Sequence, residues 1–201
     1  AAGGAAAVFA TIMALIHRKK TGEGQLIEFA TAENFMPMIG DFILDYTMND
    51  RLWAQMGNTD RYIAPHNIYP CDGIDRWIAI ACRNDEDWLK LCEAMNRQEL
   101  AHDDRFRNNA NRYKNREDLD SLITNWTKTK VDKNIMHELQ DVGVPAGMLF
   151  DDQDSLEDPH LAAREFFEEL THDEAGTHLY PGIQFKMRNT PNKIHRTPAM
   201  F

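Results

Sequence analysis

The stretch "AAGGAAAVFATIMALIHRKKTGEGQLIEF" (residues 1–29) constrains the fold more than any other part of the chain. Ala, Met and Leu favour helix. Wound as a helix, its apolar residues occupy every face, so it must be covered nearly all round. Ala5, Ala6 and Ala7 permit close approach by another backbone. Arg18, Lys19 and Lys20 suit a helix C-terminus, where cations meet the negative end of the macrodipole. "TGEG" then stops the helix, and Gly22 and Gly24 tolerate the positive φ a tight turn needs. "QLIEFAT" reads as a strand. Helix, turn and strand make one αβ unit of a layered α/β domain. A lone strand forms no stable sheet. Its neighbours are therefore expected from a partner chain or from residues that this chain lacks.

"AENFMPMIGDFILDYTMND" continues as a helix, irregular near Pro37 and Gly40. Asn49 to Pro65 is of mixed polarity and reads as a connection. "NIYPC" and "RWIAIAC" are short strands around a "DGID" turn, which predicts a hairpin. Asn84 is placed to cap the following helix, with Asp85, Glu86 and Asp87 in its first turn. Trp88, Leu89, Leu91, Cys92 and Met95 form its apolar face. Two further amphipathic helices carry the stripes Leu119, Leu122, Ile123, Trp126 and Ile135, Met136, Leu139, Val142. Gly143 follows the second as a natural C′ residue. "VPAGMLF" reads as a strand, and "DPHLAAREFFEEL" as a helix with Pro159 at its first position. "THLYPGIQFKMRNTP" reads as a last strand pair or extended segment. Trp53, Trp77, Trp88 and Trp126 are expected to be packing residues.

The expected division is thus an αβ piece (residues 1–48), a connection (49–61), a small α+β unit (62–142), and a return segment with tail (143–201). With 32 acidic against 22 basic residues, the formal charge is -10. That argues against nucleic acid or an anionic membrane as partner. The apolar run Ala5–Ile16 is too short to span a bilayer, and its basic flank follows it, unlike a signal peptide. Cys71, Cys82 and Cys92 show neither zinc spacing nor a CxxC pair, so they read as buried, reduced thiols in a cytoplasmic protein. No metal site is expected, and His102, His160, His172, His178 and His195 lack ligand spacing.

Several stretches together resemble the class III CoA-transferases, the family of formyl-CoA and carnitine CoA-transferases. They are "HRKKTGEGQLIEF", "RYIAPHNIYPCDGIDRWIAIACRNDEDWLKLCEAM", "DDRFRNNANRYKNREDLDSLITNWT", "LQDVGVPAGMLFDDQDSLEDPHLAAREFF" and the "RNTP" tail. "VGVPAG" followed by "DPHLAAREFF" is the most specific of them. The resemblance implies a Rossmann-like large domain, of which this chain holds the C-terminal part, plus a smaller α+β domain. It implies an interlocked homodimer, and it supplies the lone strand's neighbours from a missing N-terminal half. It also implies transfer of CoA from an acyl-CoA to a carboxylic acid through an aspartyl-enzyme intermediate. The CoA thioester is substrate, and no tightly bound cofactor is expected. The family's nucleophilic Asp falls immediately before Ala1, so no catalytic residue is expected within the chain. Asp41 and Asp45 follow the expected strand and do not replace it by position.

The resemblance also nominates substrate-binding residues. Ala1, Ala2 and Gly3 would let the backbone approach a bulky acyl-CoA at a helix N-terminus; the alternative is simple helix packing. Thr31 and Ala32 follow the strand near the CoA pocket, or only begin the next helix. Arg61 and His66 lie in "DRYIAPHN", where Arg61 would pair a carboxylate or phosphate and His66 would bond an acyl group. The alternative there is a surface Arg and a turn-stabilising His. No Gly stands between Asn58 and Cys71, unlike the glycine-rich loop of the formyl-CoA branch. The basic cluster His17–Lys20 sits about 20 Å along the helix from the active end and reads as solvated. Two other readings remain: an acyl-CoA racemase or isomerase of the same fold, and a non-catalytic dimerisation fragment. "NDEDW" leans towards the transferases.

Overall fold

Strand alternation builds the best-packed part of the molecule. In the computed structural model, which describes residues Ala2–His195, β1 (His66–Pro70) pairs antiparallel with β2 (Trp77–Ala81). Tyr69 faces Ile78 across the hairpin, and Ile78 and Ile80 are buried while Ala79 between them is only partly so. The amide of Cys71 donates to the Arg76 carbonyl at 2.8 Å and closes the turn. The expected strand after Gly143 is β3 (Ala146–Met148), antiparallel to β2, so the sheet order is β1-β2-β3.

Helices cover this sheet. They are α4 (Asp85–Ala94), α5 (Glu99–His102), α6 (Asn109–Lys114), α7 (Arg116–Thr127) and α8 (Asp132–Asp141). Asn84 caps α4 as expected, its Oδ1 accepting from the Asp87 amide at 2.9 Å. Trp88, Leu91, Cys92 and Met95 enter the core, joined by Leu119 and Ile123 of α7 and Ile135 and Leu139 of α8. Leu122, Trp126 and Met136 are partly buried against it. Leu89 and Val142, expected in the stripes, are instead exposed; Val142 lies just past the end of α8, as its C-cap. Trp88 meets Phe106 edge-on, with centroids 6.1 Å apart. Trp77 is a second departure: it sits on the solvent side of β2, and its Nε1 donates to Asp75 at 2.7 Å. Gly143 ends α8 with φ +83, and the Val144 amide reaches back to the Leu139 carbonyl. The three cysteines are buried and unpaired; burial pushes the Cys71 thiol up to about 11 and Cys92 up to about 12.

The chain divides into two units, residues 1–57 and 58–201. The first holds α1 (Ala2–Thr21), α2 (Thr31–Phe35), a 3-10 turn (Met36–Ile39) and α3 (Gly40–Asn49). The irregularity expected near Pro37 and Gly40 is this 3-10 turn. Gly22 has φ +84 and ends α1; Gly24 does not take positive φ. The expected strand over "QLIEFAT" is absent. Gln25–Ala30 has no regular structure, and Leu26 is 92% exposed. The physical reason is the one that made a lone strand suspect: a strand exists only through a partner's hydrogen bonds. The all-round cover expected for α1 is absent too, since none of its residues is buried.

The end of the chain brings a further correction. "DPHLAAREFFEEL" is not one helix. After α9 (Asp152–Glu157), α10 runs only from Pro159 to Ala163. Glu165 then takes φ +52, and Phe167–His172 forms β4, paired antiparallel with β5 (Gly176–Pro181). Asp158 does cap α10, accepting from the Leu161 amide, with Pro159 next in the chain. Among the described residues, no helix is long and apolar enough to cross a membrane, and no His/Cys/Asp/Glu group is placed to hold a metal.

Candidate functional site

The candidate residues fall into two groups, one in each unit. In the first unit, α1 begins at Ala2, and its first turn carries no acidic side chain. A Cβ built on Gly3 would lie 3.3 Å from Thr31 Cγ2 and 3.8 Å from Phe29 Cε1. The close approach that Gly3 permits is thus to the start of α2, and it brings Gly3 and Thr31 together. Thr31 and Ala32 are exposed, and the preceding Ala30 supplies no side-chain cap. Ala2 is half-buried; Ala1 lies outside the described residues. Asp45 is engaged locally: Asn49 Nδ2 donates to it at 2.7 Å, Trp53 Nε1 donates to it, and Arg51 stands 3.5 Å away.

In the second unit, the loop 58–66 carries Arg61 and His66. Asp60 Oδ1 accepts from the amides of Tyr62 (2.7 Å) and Ile63 (3.1 Å), which folds the loop tightly just after Arg61. The Ala64–Pro65 peptide is cis. His66 Nδ1 lies 2.8 Å from the Asn58 carbonyl. A carbonyl only accepts, so Nδ1 is the donor in this bond. Arg61 and His66 are both half-buried. The cleft beside the loop, lined by Asp60, His66, Tyr113, Arg116 and Asp120, encloses about 10 Å³. That admits one water and no substrate group, so the loop presents side chains rather than enclosing a ligand.

The floor under the loop is a hydrogen-bonded network that the sequence reading did not single out. Tyr69 Oη donates to Asp120 Oδ1 at 2.6 Å, and Asn67 Nδ2 donates to Asp120 Oδ2 at 2.9 Å. Burial, reinforced by the Asp120 carboxylate, pushes the Tyr69 phenol far above its ordinary range, so it stays a donor. Arg112 is fully buried and reaches Ala64, Phe106 and Asp85 together. No local sequence signal marks it, because "NNANRYKNRED" reads as a solvated polar stretch. A wider cavity of about 680 Å³ lies between β4 and the segment around Phe185 and Ile194, and none of the candidate residues lines it.

The chain matches CoA-transferase family III over residues 1–200. It is 30% identical over 198 residues to the succinyl-CoA–D-citramalate CoA-transferase of Chloroflexus aurantiacus, covering 96% of this chain and 47% of that protein. It is 29% identical to the succinyl-CoA:mesaconate CoA-transferase of Haloarcula hispanica, covering 94% of this chain and 47% of that protein. A crystal structure of a CAIB/BAIF family protein from Brucella suis superposes with a TM-score of 0.75 at 29% identity, covering 90% of this chain and 50% of that one. The chain spans about half the length of these relatives. Its mixed helix and sheet architecture is that of the CAIB/BAIF structures, and the match runs from end to end. The chain belongs to CoA-transferase family III.

Proposed function

We propose that the protein carrying this chain transfers coenzyme A from an acyl-CoA to a carboxylic acid through an aspartyl-enzyme intermediate. The observation that carries this reading is the family match over residues 1–200, together with relatives named for succinyl-CoA-dependent transfer. The nucleophile is an Asp immediately before Ala1, at the N-terminal end of α1. Its carboxylate attacks the thioester carbonyl, forming a mixed anhydride and releasing CoA thiolate. The thiolate attacks the aspartyl carbonyl, forming an aspartyl-CoA thioester and releasing the first carboxylate. The acceptor carboxylate displaces CoA thiolate from that thioester, and the thiolate then takes the new acyl group and frees the Asp.

Each tetrahedral step develops an oxyanion that needs preorganised donors, and backbone amides beside the nucleophile at the N-terminal end of α1 supply them. Gly3, Thr31 and Ala32 form the CoA-facing surface of the first unit. Arg61 and His66 orient the acid. The CoA thioester is substrate, and no tightly bound cofactor takes part. The protein works in the cytoplasm as an interlocked homodimer, with residues 1–48 completing a Rossmann-like domain whose other strands come from its N-terminal half.

The test uses the full-length protein with succinyl-CoA, a panel of small carboxylic acids, and hydroxylamine. The expected result is CoA transfer, with an aspartyl hydroxamate on the residue preceding Ala1. Neither transfer nor hydroxamate across the panel would sink the reading.

A further inference from the structure

We infer that Arg112 and Asn109 form a clamp that holds the loop 58–66 in the shape that presents Arg61 and His66 to substrate. The inference deepens the reading above, and rests on it for the identity of the loop's ligand. Both residues come from α6, a six-residue helix.

The clamp grips the loop backbone at three polar groups, the Tyr62 carbonyl and the amide and carbonyl of Ala64. Asn109 Nδ2 donates to the Tyr62 carbonyl. Asn109 Oδ1 accepts from the Ala64 amide at 3.0 Å. Arg112 Nε donates to the Ala64 carbonyl at 2.7 Å. Two of the other guanidinium donors fix Arg112 itself: one on the Phe106 carbonyl at 3.1 Å, another on Asp85 Oδ1 at 2.7 Å. The guanidinium also lies 5.6 Å from the Trp88 ring centroid, so its charge is held against the core. On the far side of the cis bond, the Pro65 carbonyl accepts from the Cys82 amide at 2.9 Å.

The loop is thus anchored from Tyr62 to Pro65, between the two residues it presents. Arg61 precedes the gripped segment and His66 follows it. A buried guanidinium is costly to desolvate, and its fork geometry serves several fixed acceptors at once, which Lys does not. An apolar side chain would fill the same space without that cost. The arrangement is therefore suited to fixing a backbone shape. These are positioning residues: neither is placed to touch substrate.

The experiment compares Asn109→Ala, Asn109→Asp and Arg112→Lys with the wild type in the full-length protein. It reads amide exchange over 58–65, with the amides of β2 as internal reference, and kcat and KM for the carboxylic acid. Asn109 is half-buried, so Asn109→Ala keeps the test decisive if Arg112→Lys fails to fold. Asn109→Ala is expected to speed loop exchange about tenfold and raise KM about tenfold, with kcat within about twofold, as for the loss of a fixed hydrogen bond. Asn109→Asp keeps the acceptor for Ala64 but sets a carboxylate oxygen against the Tyr62 carbonyl, so it is expected to loosen the loop at least as much as Asn109→Ala. Unchanged loop exchange in Asn109→Ala overturns the clamp. Faster exchange with unchanged KM overturns its positioning role. A wild type that transfers no CoA overturns the function reading instead, and loop exchange still decides the clamp.

Discussion

The two units spend similar apolar sequence in opposite ways. In the second, Trp88, Phe106, Leu119, Ile123, Ile135 and Leu139 are all essentially inaccessible, packed on Tyr69, Ile78 and Ile80. In the first, the 20-residue α1 buries no residue at all, and Phe9 is 67% exposed. The difference lies in what each sequence pattern asks for. α4, α7 and α8 have one apolar face each, and neighbours within the same unit satisfy them. α1 is apolar all round, and the rest of residues 2–57 offers it only one side, through Gly3 and Thr31. An amphipathic set closes a core by itself; a fully apolar helix needs a surrounding that the described residues do not supply.

The largest expected effect tests this contrast directly. Residues 1–201 produced alone should self-associate and bind ANS strongly, whereas residues 58–201 should stay monomeric with most of that signal gone. Light scattering coupled to gel filtration, with ANS fluorescence, reads both. A monomeric, ANS-silent 1–201 breaks the comparison, because α1 would then be covered within the chain.

Single truncations sharpen it. Trp88→Ala should destabilise the second unit by about 3–5 kcal/mol in urea unfolding, since a large buried ring leaves a cavity. Phe9→Ala in the same chain should change stability by no more than about 0.5 kcal/mol, as for an exposed position. Equal costs would mean that the two apolar sets are packed alike.

What the sequence made legible follows the same line. The β1–β2 hairpin, the Asn84 cap, the αL ending at Gly143 and the Asp158–Pro159 start are all local devices, and each is found where the residues place it. Gln25–Ala30 has strand composition but no strand, because pairing is not local. "EFFEEL" has helical composition, yet β4 forms, because Leu170 finds His178 across a hairpin. Arg112 escaped notice for the same reason: its acceptor at Ala64 is 48 residues away. Of the candidate site, the loop's position was legible from "RYIAPHN"; the Arg112 and Asn109 grip beneath it was not.

Acid should loosen the second unit through carboxylates paired with arginines, Asp87 and Asp154 among them. The Arg83 guanidinium holds the Asp87 carboxyl below the usual carboxylate range, and Arg76 does the same for Asp154. A depressed folded-state pKa means that the unfolded chain binds the proton first. The stabilisation is therefore complete above the unfolded value, near 4, and is lost as pH falls through the folded value. Urea midpoints measured from about pH 6 down to about pH 2 should fall, and Asp87→Asn should flatten that fall. An unchanged profile in Asp87→Asn would assign the acid sensitivity elsewhere.

The smallest effect returns to helix ends. In the second unit Asn84, Asn108, Asp151 and Asp158 each accept a backbone amide at the start of a helix. In the first, Ala30 precedes α2 with no side-chain bond to give. Asn84→Ala should therefore cost about 1 kcal/mol, read as a lower urea midpoint with an unchanged slope. Ala30→Ser adds a cap to a helix that no cooperative core depends on, so it should leave that midpoint where it is. A shift from Ala30→Ser as large as that from Asn84→Ala would mean that the two units unfold as one, and that α2 is tied into a core the described residues do not show.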